Sequence, residues 1–469
     1  MPSPRRFASV FVVVIATLFV AATALHAAPP TDSELQAKVD AVAAAALQKP
    51  GAAGLSIAIA RNGKMIVAKG YGLADVEFDV PADAQTIFRI GSITKQFTSA
   101  AIMRLIEQGK LSLDDPMTKF LPDYPMQGNV VTIRNLLNHT SGIKSMTDLG
   151  EEWEKTMPLD LTHEQMLALV KDKPFDFKPG DEWRYNNTGY YILGMIIEKI
   201  TGKSYADYLQ EEFFTPLKLD RTSYEVSSEI VRNRARGYSI EKGQQVNAAP
   251  LGMTQPYAAG SLISTAEELI EWAMALTSGK VVSPESFQMM ITPTVLNNGK
   301  SQPYGFGIAI DTEAQPKRIW HNGGNNGFNS MLLWLPDEQV FIAVISNGEP
   351  VSADRVGDEL VYAALGIEKP VAKDIAITPE VMKQIVGNYK FEQVPMEMKV
   401  WEEGGKAMVK ANGENQKGFA LKWQGPDVSE GREFRAAFDD DTKFMFAADG
   451  RSLTLDQRGM KLTAQRVGE

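Results

Sequence analysis

GSITKQFT, residues 91–98, sets Ser92 three positions before Lys95. Residues three apart on a helix share a face. Gly91 marks a point where the chain can turn into that helix. A serine on a first turn is a weak nucleophile until a base takes its proton. A lysine on the next turn can do so, or can hold a charge that lowers a neighbour's pKa. The positive end of the helix also favours developing negative charge. The plain alternative is an N-cap serine and a solvated lysine. Other nucleophile signatures are missing: the chain has no G-x-S-x-G, no H-E-x-x-H, no G-x-x-x-x-G-K-[ST] and no cysteine.

Two further stretches carry polar groups suited to the same chemistry. In EWRYNNTGYYILGMIIEKITGKSYADYL, Tyr185 and Asn187 precede an apolar helix that ends near Gly202. Tyr185 offers a phenol to share a proton with Ser92 and Lys95, and Asn187 an amide to grip a substrate carbonyl. Packing and helix capping would explain the same residues. In IWHNGGNNGF, residues 319–328, a strand runs into a glycine-rich turn. Glycine lets backbone approach a ligand closely, and an exposed N–H there suits an oxyanion. A hairpin turn with a solvent-facing His321 is the alternative.

Around these stretches the chain alternates. DSELQAKVDAVAAAALQK is an amphipathic helix with Asp32 or Ser33 near its N-cap. GLSIAIARNGKMIVAKGYG is a β-hairpin about Asn62-Gly63. Thr94 to Gln108 is helical, with Phe97, Ala101, Ile102, Leu105 and Ile106 on one face. A helix-rich middle comes next. YGFGIAI, FNSMLLWL and VFIAVISN are then strands, and ADRVGDELVYAALG a closing helix. Strands at both ends with helices between predict an α/β (α+β) sandwich: one antiparallel sheet flanked by helices, with an inserted helical region. GIEKPVAKDIAIT is a linker, assigned to 367–378. Residues 379–469 show short alternating segments such as MEMKVWEE, KAMVKANG and GFALKWQG, which predict a small antiparallel β-barrel or sandwich.

The chain has 469 residues and 44% hydrophobic composition, ample for a buried core and too long for one ordinary domain. Residues 1–28 carry Arg5 and Arg6, an apolar run and the small residues of a secretory signal, with cleavage expected between Ala24 and Ala28. An uncleaved membrane anchor is the alternative, and the only route by which a membrane contact is expected. The chain is thus expected to be exported, periplasmic or secreted. Cleavage would take Lys+Arg from 48 to 46 against 58 Asp+Glu, a net charge of −12. That balance disfavours nucleic acid as a partner. Zero cysteines exclude disulfides and thiol chemistry. Only His139, His163 and His321 remain after cleavage, too few for a histidine-rich metal cluster, so no metal or cofactor is expected. His139 in LLNHTSG is read as a loop brace and not as a triad base. His163 is read as a surface residue at a helix start, and Trp320 as strand packing.

Ser-x-x-Lys, Tyr-x-Asn and His-x-Gly succeed one another in that order. Together with FRIGSITKQFT, TIRNLLNHTSGI, AAGSLISTAEELIEW and HNGGNNGFNSMLLWLPDE, the set resembles the serine β-lactamase/penicillin-binding protein superfamily, in its class C-like branch. That branch includes D-alanyl-D-alanine carboxypeptidases, D-aminopeptidases and esterases. The resemblance covers about residues 35–366 and implies a β-lactamase/transpeptidase-like domain over 31–366. VGNYKF and the strand pattern resemble the lipocalin-like domain that often succeeds it, here 379–469. By this resemblance Ser92 is the acylated nucleophile and Lys95 its helper. Tyr185 is the general base, and Asn187 orients the substrate. The backbone N–H groups of Ser92 and Gly324 form the oxyanion hole, beside His321 and Gly323 of the strand motif. Whether Lys95 or Tyr185 is the base stays open. The implied substrate is a small molecule or peptide with an ester, an amide or a β-lactam; the alternative is a non-catalytic binding or structural relative. His321-Asn322-Gly323 departs from the Lys-Thr-Gly of β-lactamases. An ordinary imidazole is mostly neutral at pH 7 and charged near pH 5.5. Weight therefore shifts toward esters, amides and D-amino acid peptides.

Overall fold

The computed structural model describes residues 29–311, 314–391, 394, 396–412, 418–425, 431–437, 439–457 and 460–468. The segment read as an export signal, 1–28, lies outside them. Helix α1 (Asp32–Leu47) is capped by Thr31, not by Asp32 or Ser33. Thr31 wins because Glu34 stands at N3, and the two side chains form a reciprocal capping box.

The hairpin of β1 (Gly54–Arg61) and β2 (Lys64–Asp75) turns at Asn62 and Gly63, both at positive φ as a type I′ turn demands. It joins strands from the far end of the domain in one antiparallel sheet. After β3 (Val80–Pro81) come β4 (Ala309–Asp311), β5 (Arg318–Asn325), β6 (Phe328–Leu335) and β7 (Val340–Ser346), in the spatial order β4-β5-β6-β7-β1-β2-β3. Register Leu55↔Ser346 through Arg61↔Val340 zips the first strand of the chain to the last of the sheet. This central pair is buried on both faces. Leu55, Ile57 and Ile59 meet α1 and the closing helix, while Ala58 and Ala60 lie small beneath the helical region.

That region holds α2 (Thr94–Glu107), α3 (Asn187–Thr201) and α4 (Ala266–Thr277); α5 (Ala353–Leu365) closes the opposite face. α2 is not half-buried as its apolar stripe predicts. From Thr94 to Met103 every residue is buried, because α3 and the short helices Tyr257–Gly260 and Pro284–Met290 enclose it, with Phe97 stacked on Trp272 of α4 at 3.8 Å.

Beyond 366 the chain runs out to a second unit. Ile375 bridges Trp423, and Lys373 and Gln424 exchange two hydrogen bonds, so this end of the linker is stapled to that unit. α6 (Pro379–Ile385) leads into eight strands: β8 (Gly387–Phe391), β9 (Glu397–Glu403), β10 (Lys406–Ala411), β11 (Phe419–Trp423), β12 (Arg432–Ala436), β13 (Asp439–Phe446), β14 (Ser452–Gln457) and β15 (Met460–Val467). They form a closed antiparallel barrel, sealed by β8 against β15. Tyr389, Trp423, Phe434, Phe444 and Phe446 fill its described interior as a core of its own. Among the described residues, no helix is long and apolar enough to cross a membrane.

Candidate active site

Ser92 sits in a 3-10 turn, Gly91–Ile93, that leads directly into α2. Gly91 stands at φ +52, and a Cβ there would lie 2.5 Å from the Gly324 nitrogen. The nucleophile turn and strand β5 therefore pack backbone to backbone. Gly323 is tighter still: a Cβ would meet Ile90 O at 2.0 Å and Ser92 N at 2.9 Å. Ser330 Oγ donates to Ile90 O at 2.7 Å, and Asn325 Nδ2 to Gly260 O at 3.1 Å, pinning the strand end in place. β5 pairs with β4 only over Arg318–Trp320, so from His321 onward that edge of the strand has no partner strand among the described residues. The glycines lie within this strand and not in a turn after it, which falls at Asn326 and Gly327.

Lys95 is wholly buried. Its Nζ lies 3.2 Å from Ser92 Oγ, 2.8 Å from Asn187 Oδ1 and 2.8 Å from Ala259 O. Burial holds its pKa well below the usual lysine value. A neutral amine has two N–H donors and one lone pair. With both donors placed on Asn187 and Ala259, the lone pair faces Ser92 Oγ. A charged amine donates to all three oxygens instead, Ser92 Oγ included. The Ala259 carbonyl has no mark in the sequence, since any residue type supplies one.

The two adjacent asparagines divide the work. Asn186 is the N-cap of α3, its Oδ1 accepting from Gly189 N–H at 2.8 Å. Asn187, the first helical residue, is held by Lys95 on its Oδ1 and by Thr147 Oγ1, 3.2 Å from its Nδ2. Tyr185 places its ring 4.6 Å from Lys95 Nζ. Its hydroxyl is sealed from solvent with no partner in hydrogen-bond geometry among the described residues, although Ser92 is near enough to oppose the effect of burial on its acidity. Burial dominates and pushes the phenol pKa up, so Tyr185 rests protonated.

His321 departs from the expected conditional cation. It is only 3% exposed, and both ring nitrogens are engaged, Nε2 with Tyr304 Oη at 2.8 Å and Nδ1 with Asn322 O. Nδ1–H donating to that carbonyl and Nε2 accepting from the phenol define one neutral tautomer. Burial, reinforced by Lys95 when that amine is charged, lowers its pKa to about 3. It forms part of the floor behind Tyr185, at 6.2 Å between rings. His139, 1% exposed, accepts from Asn186 N–H at 3.1 Å and is also held neutral by burial. It makes no hydrogen bond to Ser92. His163 does open a helix, but it is half-buried, 2.8 Å from Tyr191 Oη and 3.2 Å from Glu198 Oε2, and so is no free surface residue. Trp320 is buried in the sheet core. The site thus joins Ser92, Lys95, Tyr185, Asn187 and the Gly323–Gly324 backbone, with His321 beneath.

A β-lactamase family model matches residues 39–366. The chain is 28% identical over 325 residues to Protein flp of Staphylococcus aureus (strain MW2), an alignment covering 67% of this chain and 64% of that protein. The chain thus spans less than two thirds of that relative's length. The structure of the octameric penicillin-binding protein homologue from Pyrococcus abyssi superposes with a TM-score of 0.64 at 27% identity, over 92% of this chain and 99% of that one. A D-stereospecific amidohydrolase from a Streptomyces species gives a TM-score of 0.60 at 25% identity, over 71% and 98%.

Proposed function

The chain belongs to the β-lactamase family, and on that premise we propose that it is an exported serine hydrolase of the class C-like branch, cleaving esters or amides through an acyl-enzyme on Ser92. The observation that carries this reading is the contact of a wholly buried Lys95 with Ser92 Oγ, its remaining donors occupied by Asn187 and Ala259. In the proposed sequence Lys95 accepts the Ser92 proton as the oxygen attacks the carbonyl. The Ser92 and Gly324 N–H groups receive the oxyanion. The protonated Tyr185 passes a proton to the leaving group and is replenished by Lys95. Water then enters and attacks the acyl carbon, Lys95 takes its proton and passes it to the departing Ser92 oxygen, and the acid is released. A non-catalytic relative would have no use for a desolvated lysine of this kind. The export proposal rests on the basic start, apolar run and small residues of 1–28.

The substrate's leaving side is proposed to be neutral. His321 occupies the motif position of a fixed lysine but is buried and neutral. Lys144 and Arg184, close in sequence to site residues, both pair with Asp176, at 3.2 and 3.1 Å. Neutral esters and amides fit such a site, the latter suggested by the D-stereospecific amidohydrolase from Streptomyces. The test compares two substrates sharing one acyl group, one with a carboxylate on the leaving side and one without. Their kcat/KM ratio should stay within about twofold between pH 8 and pH 5.5, where a titrating cation would move it about fivefold. A ratio that climbs as pH falls would contradict the neutral site.

A further inference from the structure

His139 is not needed by the chemistry proposed above, yet it sits at the centre of the site's floor. Its ring centroid lies 4.5 Å from Tyr185, 4.8 Å from Tyr304, 5.2 Å from Tyr190 and 6.0 Å from Trp183. Its backbone carbonyl accepts from Arg184 N–H at 3.0 Å, and its Nδ1 from Asn186 N–H at 3.1 Å. The residue therefore holds the chain on both sides of Tyr185 and packs its ring on the tyrosine between. To do this it adopts φ +63, a left-handed conformation uncommon outside glycine. Because Nδ1 accepts, Nε2 carries the proton, and that buried N–H has no hydrogen-bond partner among the described residues. An unpaired buried donor costs stability. An apolar side chain would fill the same space without that cost but could not accept from Asn186.

We propose that His139 is a positioning residue for Tyr185, its ring nitrogen and carbonyl clamping residues 184 and 186 so that the tyrosine hydroxyl stays directed at Ser92. The proposal rests on the role given to Tyr185 above. It assigns His139 no proton transfer.

A double-mutant cycle on the full chain, with ethyl butyrate as substrate and acid release followed by pH-stat, tests it, because an alkoxide leaving group needs the Tyr185 proton. His139→Ala should lower kcat about 30-fold and leave KM within about threefold. In a Tyr185→Phe background the same change should cost less than about threefold, because there is no hydroxyl left to position. His139→Asn keeps an oxygen near the place of Nδ1 and tolerates the left-handed backbone, so its loss should be only about fivefold, and less than about twofold beside Tyr185→Phe. If circular dichroism shows the alanine variant unfolded, the asparagine pair carries the same comparison. Equal losses in both backgrounds would show general loosening of the fold and overturn the proposal, as would full activity in His139→Ala. Tyr185→Phe at the wild-type rate would remove the tyrosine's role and the clamp's purpose with it. Failure of the Ser92 reading registers separately, as hydrolysis that survives Ser92→Ala.

Discussion

His321 shows how far one residue can be read from its neighbours in sequence. Its place in His-x-Gly located it beside the site, but its protonation was set by Tyr304 and by depth, which no local motif records. Sequence suggested an imidazole that charges near pH 5.5; the folded chain holds it neutral to about pH 3. That shift has a stability consequence with a definite sign. The folded pKa lies below the unfolded value, so the contribution is fully present above about pH 6.5 and is lost as pH falls toward 3. At pH 5 the unfolded chain has bound a proton the folded chain refuses, worth about 2 kcal/mol. His139 acts in the same direction. Urea unfolding at pH 7.5 and pH 5 should therefore show a smaller pH-dependent loss in His321→Gln than in the wild type. Equal losses would mean that the imidazole charges in the native state. Lys95 teaches the complementary lesson: its spacing from Ser92 was legible, while its third partner, a backbone carbonyl at Ala259, was not.

At the scale of elements, the periodic and punctuated segments were legible. The Asn62-Gly63 hairpin, the helix from Thr94, the Gly202 and Gly366 helix ends and the β6–β7 pair all come from pattern and turn chemistry. What was lost lies where tertiary contact decides. Of YGFGIAI only the last two residues, Ala309 and Ile310, join a strand, which ends at Asp311, and Ser92 lies in a 3-10 turn before the α-helix. The closeness of β5 to that turn makes a sharp prediction. Gly323→Ala would drive a methyl into Ile90 O and Ser92 N, while a Cβ on Gly324 meets nothing nearer than 4.0 Å. Gly323→Ala should therefore cost about 1–3 kcal/mol in stability and about 10²-fold or more in acylation rate, from strain and a displaced oxyanion site. Gly324→Ala should fold like the wild type. Indistinguishable thermal melts for the two variants would contradict the close approach.

Across the whole molecule, the two units keep separate hydrophobic cores, one built about the seven-stranded sheet and one inside the barrel. The quoted C-terminal segments VGNYKF, MEMKVWEE, KAMVKANG and GFALKWQG match β8 to β11, while closure runs on through β12 (Arg432–Ala436) and the strands beyond it. A chain pairing its first strand with its last in the sheet delivers Ser92, Tyr185 and Gly324 to one place from three distant stretches. The central claim is that this convergence makes Ser92 a nucleophile. Intact-mass spectrometry after exposure to a fluorophosphonate tests it directly. The wild-type chain should gain one phosphonyl adduct per molecule, localised to Ser92 by peptide mapping, and Ser92→Ala should gain none while keeping the wild-type circular dichroism spectrum. An adduct that persists in Ser92→Ala, or one that maps to another residue, would contradict that claim.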